Sequence, residues 1–124
     1  MAYKGNVQLT FIIDAPNDLV AEGDRLFATH AAWMEKTHYR EGENALYVYN
    51  VSKAPVLSNP MDITSAPTNR TNFVLMEIYE SDAGVLDHYA QAQASWEELQ
   101  NFLAWLEKCD VSIVSSAPIV HSLW

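Results

Sequence analysis

NFVLMEIYESDAGVLDHY, residues 72–89, decides the fold. Within it, residues 73–79 alternate two apolar sets. Phe73, Leu75 and Tyr79, interrupted by Glu77, share one side, and Val74, Met76 and Ile78 share the other. Side chains on a strand point alternately to its two faces, so this strand needs cover on both. Ser81 is a suitable cap for the amphipathic helix that follows and carries His88. In a small domain helices cover one face of such a sheet, and the other face calls for a second sheet, that of a partner subunit.

The same strand-then-helix pattern occurs earlier in the chain. Val7, Leu9, Phe11 and Ile13 form a continuous apolar face over about 5–14, with Gln8, Thr10 and Ile12 on a partly apolar reverse. Pro16 suits the first turn of a helix, where its missing N–H costs nothing. Leu19, Leu26, Phe27, His30 and Met34, with Trp33 at the flank, recur at helical spacing up to about Tyr39. Gly42 follows where a left-handed stop residue is expected. A second strand, about 45–53, places Leu46 and Val48 on one face and Tyr47, Tyr49 and Val51 on the other. Residues 54–70, with Pro55, Pro60 and Pro67, read as a long loop, either a mobile connector or a lid. The second helix is expected to run unbroken from Ser81 to about Lys108, burying Val85, Tyr89, Ala92, Trp96, Leu99, Leu103 and Leu106. A last strand or strands, split by Pro118, occupy 111–124.

The order is therefore two βαβ units. These interleave into a ferredoxin-like βαββαβ α+β fold, a four-stranded antiparallel sheet with two helices on one face. Dimerisation through the uncovered sheet face, giving a dimeric α/β barrel, is the simplest way to remove Val74, Met76 and Ile78 from water. The 124 residues fit one domain, residues 1–124, with enough core to fold without staples.

A net charge of −9 disfavours nucleic acid and anionic membrane, both of which need Lys and Arg to neutralise phosphate. A single cysteine, Cys109, rules out an intrachain disulfide and a cysteine-based zinc site. The apolar run Leu9–Ile13 is too short for a signal segment or a membrane span, so the chain reads as soluble and cytoplasmic.

VLMEIYES at 74–81, followed by LDHY at 86–89, resembles the antibiotic biosynthesis monooxygenase family of dimeric α/β-barrel proteins. Glu77, Tyr79, Glu80 and Ser81 match that family's strand-three pattern, and His88 falls where members carry a histidine. The resemblance implies oxygenation of a small phenol or hydroquinone without a bound cofactor. Such a substrate's carbanion character lets it react with dioxygen once a base has deprotonated it. The match departs from the family at Ala92 and Gln93, where a second histidine is common. Haem degradation is not implied, because the first strand has no Asn, Tyr79 stands where that branch has Trp, and residues 97–106 hold no His.

The residues themselves carry no Gly-rich phosphate loop, nucleophile elbow or Ser-His-Asp order. His30 and His38 are eight apart, too far along a helix for one ion, so neither a metal nor another cofactor is expected. His88, His30 and Tyr79 are the candidate catalytic residues. A histidine near neutrality can take a phenol's proton, and a tyrosine can donate to the developing oxyanion. Trp33, Trp96 and Glu77 are the candidate substrate-binding residues, two rings to wall an aromatic pocket and a carboxylate to orient an imidazole. Each has a plainer alternative: a core histidine satisfied by one hydrogen bond, or simple packing of Tyr and Trp. His38 and His121 are expected to be structural. One reading is an enzyme acting on a small aromatic or quinol, or an isomerase or cyclase using the same His/Tyr pair. The other is a non-catalytic binding or structural dimer, its pocket plugged by Trp33, Trp96 and Phe27 and its histidines bonded to backbone.

Overall fold

The two alternating segments, Val7–Ile13 and Phe73–Tyr79, become the centre of one sheet. The computed structural model describes residues 2–124. Strand β1, Val7–Pro16, pairs antiparallel with β3, Pro67–Tyr79, from Val7 opposite Tyr79 to Pro16 opposite Arg70. β2, Leu46–Leu57, lies outside β3, and β4, Asp110–Pro118, lies outside β1, giving the order β2-β3-β1-β4. Helices α1 (Val20–Thr37), α2 (Asp82–Ser95) and α3 (Leu99–Leu106) cover one face. This is the ferredoxin-like arrangement of antiparallel sheet and helices.

Differences from the sequence expectation lie at the element ends. β2 and β3 reach Leu57 and Pro67, so both ends of the expected 54–70 loop, 54–57 and 67–70, are hairpin strand, and residues 58–66 connect them. Pro55 is accommodated because β2 is an edge strand and its register slips between Pro55 and Leu57. The connection is tied locally: the Asn59 and Asp62 side chains accept from the N–H groups of Met61 and Thr64. α1 ends at Thr37 rather than Tyr39, while Gly42 has the expected positive φ in the turn beyond it.

The second helix breaks. Trp96 is extended, and α3 restarts at Leu99 on a new axis, burying Phe102 and Trp105 and leaving Leu103 exposed. One straight helix would point Trp96 and Phe102 in different directions, because positions six residues apart lie about 120° apart around it. The break resolves that conflict, and Arg25 of α1 holds the restart by pairing with Glu98 at 2.6 Å.

The inner face packs as a cluster of rings. Phe27 stacks on Phe73 at 5.5 Å, and Trp105 meets Phe73 edge-on at 5.4 Å. α1 can lie this close because position 23 is glycine. A Cβ there would stand 2.5 Å from Trp105 Cζ2 and 2.9 Å from Phe73 Cζ.

The outer face is apolar where β1, β3 and β4 meet. Ile12 opposes Val74, and Thr10 opposes both Met76 and Val114. Ile12 and Val114 are exposed, and Val74 and Met76 are half-buried. Among the described residues, no helix is long and apolar enough to cross a membrane.

Candidate functional site

Four elements deliver polar side chains to one buried point. The α1 stripe that carries Leu26, Phe27 and Met34 to the sheet necessarily carries His30 with them, and it is 4% exposed. Its Nδ1 lies 2.7 Å from the Tyr49 hydroxyl. A register shift between Leu46 and Val48 brings Tyr49 opposite Glu77, on the helix-covered face. His88, from α2, is 5% exposed. His38, just past α1, places Nε2 2.9 Å from His88 Nδ1.

Glu77 is fully buried at the centre of this group. The Tyr79 hydroxyl donates to its Oε1 at 2.5 Å, and its Oε2 has no partner among the described residues. His88 Nε2 stands 3.9 Å from Oε1. Burial pushes the Glu77 carboxyl up to about 7 against the opposing effect of the Tyr79 hydrogen bond. Burial, then the charges of neighbouring histidines, push His30 and His88 down to about 3. At 3.9 Å the two groups are beyond hydrogen-bond reach, and burial opposes charging either of them, raising the acid and lowering the base. The same burial that holds both imidazoles below their ordinary value pushes the Glu77 carboxyl above its own.

The hydrogen bonds also order the ring protons. Thr37 Oγ1 donates its only proton to the Trp33 carbonyl at 2.8 Å, as helical threonines often do. Its oxygen then accepts from His38 Nδ1 at 2.9 Å, which leaves His38 Nε2 as acceptor for His88 Nδ1–H. His88 Nε2 is thus a bare lone pair facing a carboxylate. If His30 Nδ1–H donates to Tyr49, His30 Nε2 is bare as well. Ligand atoms of His30, Glu77 and His88 all lie within 4.8 Å of one another.

A cavity of about 330 Å³ opens beside the two histidines, between the sheet, α2 and α3. Phe11, Leu75, Trp96, Phe102 and Leu106 wall it, and Tyr89 and Ser115, bonded to each other at 2.7 Å, lie on its rim. Trp96 donates to Thr29 Oγ1 at 3.3 Å and leaves the cavity open. Trp33, expected beside it, donates to Ser95 at 2.9 Å and does not line it. Glu77 and Tyr79 stand behind the histidines, also off the lining, and the Tyr79 proton is used on Glu77. A second, more open groove of about 440 Å³ reaches His38 and Tyr49 from the far side. His38–His88 and Tyr49–His30 therefore bridge two cavities.

Sequence reasoning brought His30, His88, Glu77 and Tyr79 forward but missed two partners. His38 was expected to be structural, yet it fixes the His88 tautomer. Tyr49 shares a face with Val51 in the alternation, and that was the available signal. His121 is exposed, in the irregular segment after β4.

No protein-family model matches the chain, and no curated protein does. A solved structure with which it shares its architecture is a dimeric ferredoxin-like protein from an uncultured marine organism. That likeness has 13% identity and a TM-score of 0.60, over 95% of this chain and 99% of the other. It shows the ferredoxin-like fold. The resemblance to the antibiotic biosynthesis monooxygenases finds its support at that level alone.

Proposed function

We propose that the protein is a homodimeric, monooxygenase-like enzyme that takes a small aromatic or quinol into the cavity between sheet, α2 and α3. The observation that carries this reading is the pairing of an apolar cavity with two neutral histidines at its end. Apolar walls desolvate a ring, and imidazoles that carry no charge can exchange hydrogen bonds with its hydroxyl. Glu77, which titrates near neutrality, is the nearest reservoir for the proton that the hydroxyl gives up, through His88. The link from His88 to His38 offers a path from there to the open groove. Open cavity space and histidines bonded to side chains rather than backbone favour this reading over a plugged, structural pocket.

Hydroquinones should quench the fluorescence of Trp96, which lines the cavity, and should support oxygen uptake at an electrode. His88→Gln should lower the uptake by about 100-fold or more, in the range expected for an acid–base group. Turnover without oxygen consumption would move the site to isomerase or cyclase chemistry. Absence of both binding and turnover across a hydroquinone series would sink the enzyme reading.

The dimer is proposed to form through the patch of Ile12, Val74, Met76 and Val114. Met76→Asp at its centre should yield a monomer by analytical ultracentrifugation. A wild-type chain that sediments as a monomer at high concentration would refute the assignment.

A further inference from the structure

Three features of the buried cluster converge on one kind of ligand. The first is the donor set, two imidazoles and one carboxylate with ligand atoms within 4.8 Å, drawn from α1, α2 and β3. The second is Glu77 Oε2, a fully buried oxygen without a hydrogen-bond partner among the described residues. Buried polar groups are nearly always satisfied, so an orphan carboxylate oxygen calls for a cation or a donor. The third is the direction of the ring protons. The chain Trp33 carbonyl, Thr37, His38, His88 turns the lone pair of His88 Nε2 towards that carboxylate. A lone pair facing an ionised carboxylate is unfavourable by itself and becomes favourable with a positive ion between them.

We infer that His30, Glu77 and His88 form a binding site for a divalent first-row transition-metal ion, with its open coordination positions facing the apolar cavity. Imidazole and carboxylate ligands suit such ions, and three protein ligands leave room for water or substrate oxygen. Around the two histidines the structure also supplies what metal-binding imidazoles need. His38 holds His88 Nδ1 and frees its Nε2, and Tyr49 does the same for His30 in the tautomer whose Nδ1–H donates to the tyrosine oxygen. Tyr79 plays the same part for the carboxylate through Oε1, leaving Oε2 free. Ligand atoms sharing one such ion lie roughly 3.0–3.5 Å apart, given bonds of about 2.1 Å. The three atoms must therefore draw in from their 4.8 Å spread as the ion binds. His30 and His38, eight residues apart, are too far apart along the chain's first helical segment to share one ion. The folded chain instead assembles ligands from three elements.

This inference goes beyond the functional reading above and does not rest on its choice of substrate. The test is a titration of the chelator-treated full chain with Co²⁺, followed by visible d–d absorption, with Zn²⁺ competing. One equivalent per chain is expected, with affinity falling at least about 100-fold in Glu77→Gln. Tyr49→Phe, which removes no ligand, should weaken binding by about 10-fold or more. Circular dichroism of each variant shows whether it is folded, and the wild-type titration decides if a variant is not. No saturable Co²⁺ or Zn²⁺ binding to wild type, or binding unaltered in folded Glu77→Gln, overturns the inference. Hydroquinone quenching of the metal-free protein tests the pocket separately. Quenching without Co²⁺ binding would reject the metal site alone, and Co²⁺ binding without quenching would reject the substrate reading alone.

Discussion

Metal-free protein should lose stability steeply as pH falls from 6.5. Unfolded, His30 and His88 take up protons near their ordinary value of 6.5, whereas folded they refuse them until about 3. Over that window the unfolded state binds more protons, so stability falls as pH falls. Glu77 acts in the opposite sense. Its folded carboxyl keeps its proton up to about 7 and its unfolded one loses it above 4.5, so its contribution is full in acid and is lost as pH rises through 7. Between pH 4.5 and 6.5 the two histidines outweigh the one carboxyl by one proton. The expected slope there is roughly 1.4 kcal/mol per pH unit, doubling below the unfolded Glu77 value.

The other groups facing the cluster do not reverse this. His38 is also lowered by burial and adds to the loss in acid. Tyr49, Tyr79 and Tyr89 are raised and stay neutral throughout the window. Exposed Glu22 and Glu98, held low by Arg25, lean the same way as the histidines. Urea titrations with chelator at successive pH values from 7 to 4 measure the slope. A flat profile would mean that the folded cluster of His30, Glu77 and His88 holds two protons rather than one over this window, so that burial does not keep both imidazoles neutral. Adding the transition-metal ion near neutral pH should raise stability, because it binds the folded chain in preference to the unfolded one.

Phe73→Ala should remove about 3–5 kcal/mol, a large share of the stability of a domain this size. Phe73 is 1% exposed and is the ring that Phe27, Trp105 and the bare face of Gly23 all pack against. Its loss leaves a cavity that the stiff neighbouring rings cannot close, so the cost includes contacts as well as transfer. The urea midpoint should fall by about 2 M with little change in slope, since small domains have slopes near 1–3 kcal/mol per molar. A loss below about 1 kcal/mol would show that α1 settles onto the sheet. The ring cluster would then be looser than its packing indicates. Phe73 is not part of the His30–Glu77–His88 group, so the variant should still bind Co²⁺ below its unfolding transition.

The strand and helix periods of this chain are local properties, and they were legible without a structure. Alternation over Val7–Ile13 and Phe73–Tyr79 and the 3–4 spacing from Leu26 to Met34 are set by which faces must leave water. They determined the ferredoxin-like order and the placement of His30 on a core-facing stripe. What they could not determine is how separate stripes meet. The break at Trp96 depends on the competing demands of Trp96 and Phe102 for one core, a conflict visible only once α1 and the sheet are in place. The length of the β2–β3 hairpin depends on edge pairing that tolerates Pro55, which local composition reads as loop. The chemistry of the site is decided latest of all. His30, Glu77 and His88 are 47 and 11 residues apart along the chain, and no spacing rule links them. Burial depth sets their charge and neighbours such as Tyr49 and His38 set their proton positions, and both exist only in the folded chain.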